Sequence, residues 1–103
     1  MQTTIAETTV DVNEEGYLTD PSQWTEAIAH AIAAEEKVGP LTDDHWKVIH
    51  HLREKQAAGE EMTIRRLNKS GVISTKELYA LFPGGPLKKA ARIAGIPKPA
   101  GCI

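Results

Sequence analysis

Residues 78–103 read "LYALFPGGPLKKAARIAGIPKPAGCI", and this stretch decides how the chain ends. The "PGGP" at 83–86 breaks one helix and starts another, because Pro86 suits the first position of a helix. The apolar residues of the predicted second helix recur on one face: Leu87, Ala90, Ala91 and Ala94. Gly95 ends that helix, and the sequence therefore predicts a short helix followed by an eight-residue tail.

The tail, residues 96–103, carries the one cysteine of the chain, Cys102. Pro97 and Pro99 have a fixed φ and lack N–H groups, so the tail favours an extended path that spans on the order of 25 Å. Gly101 leaves a slim backbone beside the thiol, and Lys98 with the basic helix before it favours the reactive thiolate. The pattern predicts a mobile arm that carries the thiol into a pocket of another protein. An incidental thiol on a frayed terminus is the alternative.

Upstream of residue 78 the pattern predicts a small β element and three more helices. Residues 3–12 read as extended, and "NEEG" at 13–16 supplies a turn, which predicts a hairpin or meander. Helices are expected after the N-cap residues Asp20 and Thr42 and around residues 64–68, and "STKE" at 74–77 opens the helix before "PGGP". We therefore expect an α+β, mainly helical fold with about five short helices, in which residues 1–95 form the globular domain and residues 96–103 the mobile arm.

The length of the chain and the distribution of its charges limit the classes of protein to which it can belong. The 103 residues suit one domain. The net charge of −2 is the sum of an acidic first part and a basic second part of the chain. Residues 1–61 hold four basic and thirteen acidic residues, a net charge of −9, whereas residues 62–103 hold eight basic residues and Glu77, a net charge of +7. No apolar run is long enough for a membrane span, and a single cysteine gives no sign of an oxidising compartment, so a cytoplasmic protein without membrane contact is expected.

Several kinds of site are not expected. His45, His50 and His51 are spaced by five and six residues, which does not place two imidazoles on one helix face as an i, i+4 pair would. His45 is interpreted instead as a helix-start or packing residue. Because neither a hydrolase motif nor a nucleotide-binding fingerprint occurs, the sequence predicts neither a metal nor a cofactor.

A DNA-binding site is the rival interpretation. Residues 63–82, "TIRRLNKSGVISTKELYALF", predict two short helices joined by a glycine-containing turn, with four clustered basic residues: Arg65, Arg66, Lys69 and Lys76. Such a pair could contact phosphates as a helix-turn-helix regulator does. The chain's pI near 6.1 argues against it, because a duplex would repel the acidic half, and direct DNA binding is not expected.

The sequence resembles the DsrC/TusE family of sulfur-relay proteins over nearly its full length. The stretches that carry the resemblance are Trp24, "NEEGYL" at 13–18, "LTDDHWKVIHHLR" at 41–53, "RRL" at 65–67 and residues 78–103. The resemblance implies a β-hairpin or meander packed on helices, with a mobile C-terminal arm. It also implies that Cys102 accepts sulfur as a persulfide, which makes the chain a sulfurtransferase in the sense of a relay protein rather than a stand-alone turnover enzyme.

The resemblance also implies partners. Family members that serve dissimilatory sulfite reductase carry a second cysteine on the preceding helix, and the matching position here is Ala91. The single-cysteine pattern is similar to TusE, which implies a TusBCD-like sulfur donor and an acceptor enzyme that 2-thiolates the wobble uridine of tRNA. A single-cysteine paralogue associated with dissimilatory sulfite reductase is the alternative. Lys88, Lys89 and Arg92 are candidates, with Lys98, for stabilising the persulfide anion or contacting an acidic partner, and an ordinary solvated helix face explains them equally well.

Overall fold

The computed structural model describes residues 1–60 and 63–97 of the chain. Two strands come first, β1 (Gln2–Ile5) and β2 (Thr8–Asp11), followed by a 3-10 turn at Pro21–Gln23. The helices follow in the order α1 (Glu26–Glu35), α2 (Asp43–Ala57), α3 (Ile64–Lys69), α4 (Thr75–Leu81) and α5 (Pro86–Ile93). The expected fold class, mainly helical with a small β element and five helices in the described part, is confirmed.

The β element is a tight antiparallel hairpin. β1 and β2 pair from Gln2 opposite Asp11 to Ile5 opposite Thr8. Ala6 and Glu7 form the turn with φ values of 50° and 64°, which is the left-handed conformation that a two-residue hairpin turn requires at both positions. The sequence predicted one extended run here, because neither residue type signals such a turn. The "NEEG" turn does form, and it places Val12 beside Leu18 in an isolated bridge.

The first predicted helix is divided in two. Asp20 accepts a hydrogen bond from Ser22 N but caps only the 3-10 turn, and Trp24 then adopts an extended conformation. The side chain of Thr25 accepts from Ile28 N at 3.2 Å and starts α1 one turn later than expected. Because of this interruption Trp24 lies between the 3-10 turn and α1, and its side chain is not part of the apolar face of α1.

α5 is the central helix of the packing. It contacts α1, α2 and α4, and several of its side chains are fully buried in the core, among them Leu87, Ala90, Ala91 and Ile93. The largest buried side chains from the other elements include Leu18, Ile28, Leu52 and Phe82. Because the core surrounds α5, the position and direction of its C-terminal end are set by the rest of the protein.

His45 is a packing histidine, as predicted. Its Nδ1 accepts from the backbone N of Thr42 at 3.0 Å, and its Nε2 lies 2.9 Å from the carbonyl oxygen of Leu81. A carbonyl only accepts, so Nε2 is the donor in this contact, and the two contacts fix the orientation of the ring. The ring also meets Phe82 edge to face at 5.1 Å. His45 therefore joins the start of α2 to the end of α4 and is not available as a metal ligand.

None of the helices in residues 1–60 and 63–97 is long and apolar enough to cross a membrane.

Candidate functional site

The candidate site is the end of α5, from which the predicted arm continues. Cys102, Lys98, Pro99 and Gly101 lie outside the described residues. The structure describes the residues between α5 and Lys98, and we call the last three of them, Gly95, Ile96 and Pro97, the arm root. The side chain of Ile96 is 3% exposed and belongs to the core, whereas Pro97 is exposed. Pro97, the last described residue, is therefore the first residue after α5 whose surface is exposed to solvent.

Backbone hydrogen bonds close the last turn of α5. Gly95 has a φ of 69°, and its N–H donates to Arg92 O at 3.2 Å. The N–H of Ile96 donates to Ala91 O, also at 3.2 Å. This pair of bonds around a left-handed glycine is the Schellman motif, in which the following apolar residue packs back onto the helix. Gly95 ends the helix as predicted, and it also turns Ile96 into the core.

Two side chains from distant elements hold the same end, and we call Trp24 and Arg53 the arm clamp. The indole Nε1 of Trp24 donates to Ile93 O at 2.8 Å. The guanidinium of Arg53 donates to Ala94 O at 2.8 Å and to Pro21 O at 3.1 Å. Its central carbon lies 4.2 Å from the centre of the Trp24 ring, within the range of a cation–π contact. Burial lowers the pKa of Arg53 from its ordinary value.

The sequence did not predict the arm clamp. Trp24 and Arg53 stand far from residues 93–95 in the sequence, and no local pattern pairs either of them with the end of α5. Gly95 links Trp24 to the arm root, since a Cβ at residue 95 would lie 2.7 Å from Trp24 Cγ and 2.8 Å from Trp24 Cβ. Only a residue without a side chain lets the indole approach the backbone this closely.

The three basic residues of α5 have different surroundings. Arg92 is tied into the fold: its side chain is 13% exposed and donates to Glu36 at 2.6 Å, to Glu35 at 2.8 Å and to Gly16 O at 3.2 Å. Burial disfavours its charged form, but the hydrogen bonds and charges of Glu35 and Glu36 outweigh burial and raise its pKa. Lys89 is partly buried and donates to Glu36 O at 3.3 Å. Lys88 is exposed and remains the residue of the three best placed to contact a partner.

The different surroundings of Arg92 and Lys88 predict different effects on stability. Arg92→Met is expected to lower the free energy of unfolding by about 1–3 kcal/mol, because two glutamates and a carbonyl lose their donor. Lys88→Ala is the matched control on the same helix and should change it by less than about 0.5 kcal/mol. Urea unfolding followed by circular dichroism measures both, and equal losses would contradict the assignment of Arg92 to the fold.

Ala91 occupies the position where two-cysteine relatives are expected to carry their second thiol. Its side chain is fully buried, and its carbonyl oxygen accepts from the arm root. With one cysteine in the whole sequence, Cys102 has no second thiol on its own chain with which to form a disulfide.

The rival DNA-binding segment forms a helix pair, α3 and α4. Thr63 and Ser74 cap the two helices, and Leu67 and Leu78 bury one side of each. The four basic residues singled out from the sequence are exposed: Arg65, Arg66, Lys69 and Lys76. Burial of the apolar sides accounts for the pair as a packing unit, and the absence of direct DNA binding stays a prediction. Within the described ranges, no group of three His, Cys, Asp or Glu residues is arranged to hold a metal ion.

Fold and sequence together define a small helical protein whose one thiol follows a clamped C-terminal helix. A sequence model of the family described as "DsrC like protein" matches residues 4–103. The chain belongs to this DsrC-like family. The protein named Sulfurtransferase TusE from Salmonella typhimurium is 40% identical over 102 residues, which cover 91% of this chain and 93% of that relative. Sulfurtransferase TusE from Escherichia coli is 37% identical over the same shares.

Solved structures agree with this assignment. A crystal structure described as dissimilatory sulfite reductase I (DsrI) matches with a TM-score of 0.85 and 34% identity, covering all of both chains. The NMR structure of DsrC from Allochromatium vinosum matches with a TM-score of 0.81 and 33% identity, again over both full chains. The expected family resemblance is therefore confirmed at the level of sequence and of fold.

Proposed function

We propose that this protein is a sulfur-relay carrier that accepts a persulfide sulfur on Cys102 and passes it to a partner enzyme. The observation that carries the proposal is the 37–40% identity to proteins named Sulfurtransferase TusE over about nine-tenths of the chain. Cys102 is the one thiol available for such chemistry. The pathway proposed for it is 2-thiolation of the wobble uridine of tRNA, with a TusBCD-like donor and a tRNA-thiolating acceptor.

The proposed transfer needs no built active site. The Cys102 thiolate attacks the outer sulfur of a donor persulfide, the sulfur–sulfur bond of the donor breaks, and the donor leaves as a thiolate. A new sulfur–sulfur bond forms on Cys102, so one such bond replaces another and no external electrons are consumed. An acceptor thiolate then repeats the step on the Cys102 persulfide. The rate of each transfer depends on the fraction of Cys102 present as thiolate and on the access of that thiolate to the donor or acceptor sulfur.

The arm root supports this role because Ile96 is buried in the core while Pro97, the last described residue before the thiol-bearing segment, is exposed. Six residue steps separate Ile96 from Cys102, and at roughly 3.1 Å per step an extended segment spans about 19 Å. That length is enough to enter a pocket of a partner while the body stays outside it. Exposed Lys88, in the first turn of α5, is then a candidate to contribute to the choice of partner.

A second pathway is favoured by the structural comparison. The match to the protein described as dissimilatory sulfite reductase I, with a TM-score of 0.85 and 34% identity, supports the alternative role of a DsrC-like paralogue associated with sulfite reductase. The buried Ala91 argues for single-thiol chemistry in either pathway, because both cysteines are needed for an intramolecular disulfide.

The destination of the sulfur distinguishes the two pathways. Protein loaded with radiolabelled sulfur is divided between a tRNA-thiolating enzyme with its tRNA and ATP, and dissimilatory sulfite reductase without sulfite or added reductant, since both would remove the persulfide sulfur themselves. We expect label in the tRNA in the first mixture and none bound to the reductase in the second. If the label stays on the protein in the tRNA mixture but moves to the reductase in the second mixture, the proposal of tRNA thiolation is wrong and the sulfite reductase pathway takes its place. The control is Cys102→Ser, which should deliver no label to either.

A further inference from the structure

The arm clamp holds the point where the chain leaves the body, and no step of the sulfur chemistry accounts for it. We propose that Trp24 and Arg53 are positioning residues, which fix the direction in which the segment bearing Cys102 leaves the body and thereby set the rate of sulfur exchange with a protein partner. The consequence for the rate rests on the proposed function, whereas the consequence for direction does not.

The clamp acts on groups that a helix leaves without partners. The last carbonyls of a helix receive no hydrogen bond from within it. In α5, the carbonyls of Ile93 and Ala94 receive side-chain N–H groups from residues 69 and 41 positions away in the chain. At an ordinary exposed helix end, water satisfies such carbonyl groups equally well. Here they are joined to two other elements of the fold.

Arg53 connects three segments at once. Besides Ala94 O, it donates to Pro21 O, so the end of α5 is linked through α2 to the 3-10 turn. Its charge lies at the negative end of the α5 dipole, where a cation is stabilised. The ring of Trp24 covers the guanidinium at 4.2 Å and removes water from it, which strengthens both hydrogen bonds.

A small rotation at the arm root becomes a large displacement at the thiol. If residues 97–102 extend over about 19 Å, a tilt of about 20° at Ile96 moves Cys102 by roughly 6 Å. Insertion into a partner requires an aligned approach, and misplacement by an ångström can lower a rate by orders of magnitude. A clamp that narrows the range of exit directions therefore raises the fraction of encounters in which the thiol enters the partner.

The test uses the single native thiol. A nitroxide on Cys102 and a second on Lys47→Cys, an exposed position of α2, report the distribution of arm directions by double electron–electron resonance. Arg53→Met keeps the packing of the stem and removes the donors, and Trp24→Phe keeps a ring and removes the N–H. Arg92→Met is the matched control, because it removes an arginine whose side chain donates to Glu35, Glu36 and Gly16 O and not to the carbonyls at the end of α5. All variants are measured at a temperature where circular dichroism shows them folded.

The distance distribution is expected to broaden about twofold in Arg53→Met and Trp24→Phe and to stay unchanged in Arg92→Met. In the unlabelled protein with native Lys47, the rate constant for sulfur uptake from a persulfide-bearing cysteine desulfurase should fall about tenfold in both clamp variants. Uptake from glutathione persulfide should be unchanged, since a small donor does not depend on the direction of the arm.

Unchanged distributions in the two clamp variants would overturn the proposal, and so would an equal broadening in Arg92→Met. A loss of uptake from glutathione persulfide as large as the loss from the protein donor would show altered thiol reactivity instead of positioning. If the native protein takes up sulfur from neither donor, the proposed function fails, and the distance distributions still decide whether the clamp sets direction.

Discussion

Cys102→Ser is expected to abolish sulfur uptake completely. When the native protein is incubated with a cysteine desulfurase, cysteine and relay partners, its intact mass should rise by the mass of one sulfur atom. The serine variant should show no increase, because a hydroxyl at neutral pH is not ionised and does not attack a sulfane sulfur. The sequence holds no other thiol that could replace Cys102.

Two controls make this result specific. Ala100→Ser places the same new side chain on the same tail and keeps the thiol, so uptake should persist. Dithiothreitol should return the native mass to its starting value, as a reducible persulfide requires. Sulfur that remains on the protein after Cys102→Ser would locate the acceptor elsewhere and exclude the relay mechanism proposed for this residue.

Gly95→Ala is expected to lower the free energy of unfolding by about 2–5 kcal/mol. A left-handed φ of 69° costs an L-residue about 1–2 kcal/mol, and overpacking adds about 1–3 kcal/mol. The added methyl group would overlap Trp24, whose Cγ would lie 2.7 Å away, so the indole must move from its place above the arm root. Urea unfolding followed by far-ultraviolet circular dichroism measures the loss without depending on tryptophan fluorescence.

The matched control for this substitution is Gly39→Ala. Gly39 also has a positive φ, 89°, but a Cβ there meets no atom within 4 Å. Its loss should be limited to the backbone contribution of about 1–2 kcal/mol. Equal losses at the two positions would mean that the close contact with Trp24 contributes nothing to stability.

Local sequence patterns predicted most of the elements because their causes are local. Pro86 starts α5, and Thr42 and Ser74 precede the helices they were expected to begin. The hairpin turn at Ala6 and Glu7 was missed, since those residue types do not favour its left-handed backbone. The start of the first helix was placed five residues too early, because Asp20 caps only the 3-10 turn at Pro21–Gln23 and Thr25 caps α1, a division that the apolar spacing does not reveal.

The sequence by itself determined that the one thiol of the chain follows a helix that ends at a glycine and is flanked by prolines. It also contained the stretches that identified the family. Only the tertiary structure decided which side chains hold that helix end. Trp24 and Arg53 reach it from 69 and 41 residues away, and Arg92 pairs with Glu35 and Glu36 across a similar separation. Hydrogen bonds between such distant residues leave no periodic pattern in the chain, because they depend on how the core brings α1, α2 and α5 together.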